Sequence, residues 1–299
     1  MTKKIPIHLK NTTGIIDLFK KHDVVFDKNE FDGKSTVKLL HIDASVFKNN
    51  HKDFFDLVKD EILHSFVFPY SEVQKKLVSN TQKEKDELLA KAVRKISSHT
   101  AKGELGELIL FALIETFIGA PKILSKISMK TNPNMPVFGA DGVHAQFEQS
   151  GIKVYLGESK IHQDFGGAAT DAAESMGKAK KNFQQEFDLL DSYIDFSGMD
   201  ENSRASIIDL LNPYCDVKNE NNISFACFIG FSSSAFYDKK STPKYSDYEI
   251  KFGQEKAEQF EEKINNMGVS PERVVLFTLP FMDIDQLVSD FIAYFGIAQ

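Results

Sequence analysis

Asp141, Glu158 and Lys160 are the residues whose types and spacing point most directly to chemistry. Two runs, Gly139 to Phe147 and Ile152 to Lys160, read as strands joined by the turn Glu148-Gln149-Ser150-Gly151. With a regular four-residue turn, Phe147 faces Ile152, and counting back pairs Ala145 with Val154, Val143 with Leu156 and Asp141 with Glu158. Side chains alternate with period 2, so all these pairs share one face. Two carboxylates are then expected to meet across the hairpin, with α-carbons on the order of 5 Å apart. Like charges so placed repel unless one is protonated, a basic side chain intervenes, or a divalent cation binds between them. Lys160 lies two residues beyond Glu158 and so on the same face, where its ammonium reaches the same volume.

A hard cation held by carboxylates beside a lysine suits hydrolysis of a phosphodiester. Magnesium, or manganese in its place, takes oxygen ligands, keeps several waters, and needs only one or two carboxylates plus substrate oxygens. Such an ion lowers the pKa of water and offsets charge on the phosphorane, while Lys160 orients that water or stabilises the same charge. Neither a protein nucleophile nor an organic cofactor is required. Ser159, between Glu158 and Lys160, is a further candidate metal ligand.

These residues need a scaffold, and the pattern predicts one. Val37 to Ile42 reads as a strand after the Asp32-Gly33 turn, and Lys52 to Phe66 as a helix ended by Pro69. A polar helix is expected from about Ser71 to Ile96, with a boundary between halves near Ser97-Ser98. Gly103 to Ile118 reads as a helix with Leu105, Leu108, Ile109, Ala112, Leu113 and Phe117 on one face, closed by Gly119-Ala120-Pro121. After the hairpin come helices at Ala168 to Leu190, Ser203 to Leu211, Gln254 to Met267 and Asp283 to Phe295, and strands at Ile223 to Phe231 and Val274 to Leu279. The order from Gly103 reads α-β-β-α-β-α-β-α, an α/β core with a mixed sheet between helices.

Composition limits the function classes. The chain has 299 residues, 42% of them hydrophobic, with no apolar stretch of the ~20 residues needed to span a bilayer. The first twenty residues lack the apolar segment of a signal peptide, so a cytoplasmic protein is expected. Cys215 and Cys227 have no zinc or disulfide spacing. A net charge of −7 argues against tight binding of nucleic acid by the overall field. Lys75 to Lys102 nevertheless carries eight basic against three acidic residues, readable as a local patch or as a solvated helix face. Only Arg94, Arg204 and Arg273 are arginines, so sequence-specific base readout is not suggested.

The strings GADG (139 to 142) and GESK (157 to 160), preceded by a helix bearing GELGE (103 to 107), resemble the PD-(D/E)XK nuclease superfamily. That resemblance implies a restriction-endonuclease-like core, with Asp141 and Glu158 on the metal, Lys160 assisting the water, and Glu107 as a further ligand. Glu104, one turn earlier, is its substitute. Gly139-Ala140 stands where the motif name has proline, a departure the superfamily tolerates. The chain as a whole is similar to the HamA family, nuclease subunits of the Hachiman anti-phage defence system partnered by a helicase, HamB. The similarity implies DNA as substrate, defence as biology, residues 98–299 as the nuclease domain and 1–97 as an N-terminal α/β extension open to a partner. A stand-alone restriction-type endonuclease would need sequence-reading arginines, which are scarce. A non-catalytic scaffold is disfavoured by the intact Asp, Glu and Lys. His144 is expected on the face opposite Asp141. His162, Gln163 and Asp164 flank the site, and Lys178, Lys180 and Lys181 are candidates for a phosphate track or a solvated helix face.

Overall fold

The computed structural model describes residues 5–10, 12–18, 38–41, 51–132, 139–148, 151–190, 193–211, 222–238 and 245–298. Along the chain come α1 (Thr12–Leu18), β1 (Lys38–His41), and a helical run in which α2 (Lys52–Leu57) joins α3 (Leu63–Val67) through a π-helical turn. Next are α4 (Tyr70–Lys76), α5 (Gln82–Val93) and α6 (Ala101–Leu113), the last continuing into a π-helical turn at Ile114–Ile118. β2 (Lys122–Ser125) leads through a 3-10 turn, Lys126–Met129, to β3 (Gly142–Glu148) and β4 (Gly151–His162). α7 (Phe165–Leu190), α8 (Glu201–Leu211), β5 (Ile223–Ser232), α9 (Ser234–Asp238), α10 (Tyr245–Asn266), β6 (Val274–Phe281) and α11 (Ile284–Phe295) follow.

The six strands form one mixed sheet in the order β1-β6-β5-β4-β3-β2. β1, β6, β5 and β4 run parallel, and β3 and β2 are antiparallel to their neighbours. β5 is buried along nearly its whole length, as its continuous apolar run requires of a strand covered on both faces. On one side, Tyr155, Ile161 and Phe228 pack with α6 and α11. On the other, Val154, Leu156 and Phe225 pack with α7 and α10. This is the mixed α/β arrangement, a sheet between helices, expected for a restriction-endonuclease-like core. Phe54, Phe55, Val58 and Phe66 share one cluster with Leu105, Leu108 and Phe291, and β1 pairs with β6. No helix among the described residues is long and apolar enough to cross a membrane.

The expected helix from Ser71 to Ile96 is in fact two, α4 and α5. Asn80 adopts φ 51°, a left-handed turn, and Thr81 starts a new helix. The Thr81 hydroxyl accepts from the Glu84 amide (3.3 Å), and the Glu84 carboxylate accepts from the Thr81 amide (3.0 Å). Thr81-x-x-Glu84 is a capping box, a signal that helical polarity alone masks. Strand β2 and helix α9 were not expected, and α10 begins at Tyr245, well before Gln254. Val37, Ile42, Gln149 and Ser150, at the edges of the expected strand and in the hairpin turn, lie outside the described residues.

Candidate metal centre

The hairpin register is the counted one: Phe147 pairs with Ile152, Ala145 with Val154 and Val143 with Leu156. The ladder ends at Gly142 and Gly157, one residue short of Asp141. Strand β3 therefore starts at Gly142 and not at Gly139, and Asp141 stands just outside it. Its amide donates to the Gly157 carbonyl (3.0 Å), which keeps the backbone beside β4. Freed from the pleat, its carboxylate turns toward Ser159. Oδ2 accepts from the Ser159 amide (2.8 Å) and hydroxyl (2.8 Å). The simple cross-strand facing of Asp141 and Glu158 is thereby corrected in detail.

Two glycines make the approach possible. A Cβ on Gly157 would lie 3.1 Å from Leu110 and 3.3 Å from the Gly142 carbonyl, so a side chain here would need its neighbours to give by a few tenths of an ångström. A Cβ on Gly106 would lie 3.2 Å from both Ile161 and the Ser159 hydroxyl. Helix α6 thus rests directly on β4, and Glu107, the next residue, lines one cleft with Asp141, Gly142 and Gly157.

Asp141, Glu158 and Ser159 are buried, and Glu107 partly so. Burial pushes the Glu158 carboxyl up to about 7, helped by the charge of Asp141 and opposed by Lys160 and Ser175. Lys160 Nζ donates to Glu158 Oε1 (2.5 Å). Burial and then Asp141 hold Glu107 well above the ordinary carboxylate range. Glu104 is ion-paired with Lys130 but still raised by burial, and its Oε2 is buried with no hydrogen-bond partner among the described residues. Glu158 lies on the α7 side of the sheet and Glu107 on the α6 side, and Asp141 acts on both.

The residue that sequence reasoning missed is Lys126. Its Nζ lies 3.3 Å from Asp141 Oδ1, and its amide donates to the Asp141 carbonyl (3.1 Å). Although burial works against its charge, Asp141, Glu107 and Glu158 together raise its pKa. No motif marks it. It follows β2, a strand the periodicity did not reveal.

The neighbours have structural partners. His144 Nδ1 meets the Ala120 carbonyl (2.9 Å) and the ring packs on Phe111, on the α6 side and away from Glu158. Asp164 accepts from the Gly167 amide (2.8 Å) at the start of α7, Gln163 accepts from Ser232 (2.8 Å), and His162 lies 3.4 Å from Asp171. Lys180 donates to the Gly268 carbonyl. Of the basic run, Lys91 pairs with Glu72, and Lys95 donates to the carbonyls of Ser128 and Lys130.

The sequence model of the HamA family matches residues 15–294. The chain belongs to the HamA family. No curated protein matches it. Membership suggests a component of Hachiman defence. As for a metal, no three Asp, Glu, His or Cys side chains converge as a ready-made cluster among the described residues. The donor set of this HamA chain still fits a hard cation. Asp141 and Glu158 would supply the one or two carboxylates magnesium needs, and burial raises the carboxyls of both Glu107 and Glu158 even though Lys126 and Lys160 work against it.

Proposed function

We propose that this chain is a magnesium- or manganese-dependent deoxyribonuclease, the effector subunit of a Hachiman complex with a helicase partner. One observation carries the reading: Asp141, held by Ser159 at the strand end, acts on the buried Glu158, whose neighbour Lys160 pairs with it. A cation held by Asp141 and Glu158 would supply Lewis acidity to a phosphodiester. The chain's own groups do the rest. The Ser159 amide and hydroxyl fix one Asp141 oxygen, so that ligand need not reorganise. Lys160, already at the acid edge, orients the attacking water or stabilises charge on the phosphate oxygens. Glu107 is the reserve ligand, with Glu104 tied to Lys130 behind it.

The partner follows from electrostatics as well as family. Duplex affinity comes mainly from released counterions, and a chain of net charge −7 whose basic run is partly engaged internally offers few phosphate contacts. The helicase supplies DNA, docking on the N-terminal part, residues 1–97.

Plasmid and linear DNA incubated with magnesium and the co-expressed partner test the reading. Asp141→Asn, Glu158→Gln and Lys160→Met are each expected to lower cleavage by at least about a hundredfold in a folded protein. Full activity in any two would remove the site. Robust cleavage by the isolated chain at ~150 mM salt would favour the stand-alone endonuclease.

A further inference from the structure

Three acids of the candidate centre, Asp141, Glu107 and Glu158, act on one ammonium, that of Lys126. It lies 3.3 Å from Asp141 Oδ1. Of the other lysines nearby, Lys160 pairs with Glu158 and Lys130 with Glu104. Lys126 is therefore the ammonium that pairs with Asp141.

Its backbone is pinned by hydrogen bonds, and its side chain is held at the tip by Asp141. The Lys126 amide donates to the Asp141 carbonyl (3.1 Å), and Lys95 holds the turn that follows through the carbonyls of Ser128 (2.9 Å) and Lys130 (3.1 Å). The side chain keeps 23% of its surface exposed, a route by which a flexible four-carbon stem can swing outward. An ammonium offsets one negative charge at a single contact. A divalent cation offsets two and takes several oxygens at once.

We propose that the Lys126 ammonium is the resting occupant of the cation position, and that a divalent ion binds by displacing it. The exchange sets the cation affinity of the site: one positive charge leaves as two arrive. It rests on the reading of Asp141 and Glu158 as metal ligands, and it makes Lys126 a positioning residue that keeps the acids together until a cation comes.

Manganese binding to the full chain, measured by calorimetry, tests the exchange alongside the rate of Lys126 acetylation read by mass spectrometry. Lys126→Met and Lys126→Gln are expected to bind manganese about tenfold tighter, the effect of losing one competing ion pair. In the wild type, magnesium should speed acetylation of Lys126 several-fold and leave Lys130 unchanged, a response that a purely structural lysine would not give. Should either variant fail to fold, the wild-type acetylation still decides. Unchanged affinity in both variants, or acetylation of Lys126 indifferent to magnesium, with manganese binding lost in Asp141→Asn, overturns the exchange and spares the metal centre. Manganese binding undiminished in both Asp141→Asn and Glu158→Gln overturns the centre itself.

Discussion

In the first turns of α6 stand Glu104 and Glu107; in the π-helical turn that ends it stands Glu115. All three are acids on a mostly apolar helix, yet their surroundings are opposite. Glu115 Oε2 accepts from the amides of His8 (3.1 Å) and Leu9 (3.0 Å), and Oε1 accepts from the Lys122 amide (3.0 Å) and meets His8 Nδ1 (2.9 Å). The buried Lys122 ammonium donates to the carbonyls of Ser65, Phe66 and Phe68, the unsatisfied end of α3. Burial alone would raise Glu115, but His8 and the Lys122 amide bring it below its usual range. Glu107 accepts no hydrogen bond among the described residues and is pushed up. A saturated carboxylate is a joint of the fold, whereas an unsaturated one of raised pKa is the kind of group the proposed metal site would draw on.

The largest effect that would sharpen this contrast is structural. Glu115→Ala strands four hydrogen-bonding groups in the core and is expected to cost about 3–5 kcal/mol in urea unfolding. Glu107→Ala should cost under about 1 kcal/mol, since it leaves nothing unpaired. Equal losses at the two positions would dissolve the distinction.

Titration offers a second handle, with opposite signs at the two ends. Burial lowers His144, beside the Glu115 joint, from 6.5 to about 4. Its folded pKa lies below the unfolded one, so its contribution is complete above 6.5 and is lost as the pH falls toward 4. Between pH 7 and 4 this should remove on the order of 2–3 kcal/mol, and His144→Gln should flatten that slope. A wild type as stable at pH 4 as at pH 7 would contradict it.

Glu158 runs the other way. Its folded pKa of about 7 lies above the ordinary 4.5, so its contribution is present below 4.5 and lost as the pH rises through 7. Glu158→Gln is therefore expected to gain on the order of 1–2 kcal/mol over wild type at pH 8 and nothing at pH 4.5. A variant destabilised at both would mean that Glu158 is a packing residue. The smallest effect belongs to the cation. Millimolar magnesium should raise the Tm of the wild type by a few degrees through mass action, and should not shift Glu158→Gln. An equal shift in both would place the ion elsewhere.

Much of the hairpin was legible because a strand pair has only one period. Alternation and turn length set the pairing of Val143 with Leu156, and GADG, GESK and GELGE brought Asp141, Glu158, Lys160 and Glu107 forward as candidates. The limits lay where local pattern stops. Periodicity joined α4 to α5 across a capping box, and it passed over the short β2, whose four residues give it little to act on. Glu115 read only as an interruption of an apolar stretch.

The sequence by itself determined which residues share a strand face, where the hairpin turns, and which acids and lysine stand as candidates for the proposed site, because these depend on neighbours a few positions apart. The tertiary structure alone decided the strand order, the turn of Asp141 toward Ser159, the pairing of Lys126 with Asp141, and the closing of Glu115 by His8 from 107 positions away. Those contacts arise when packed layers bring distant segments together, and in buried space they decide whether a charge is satisfied or left for a ligand.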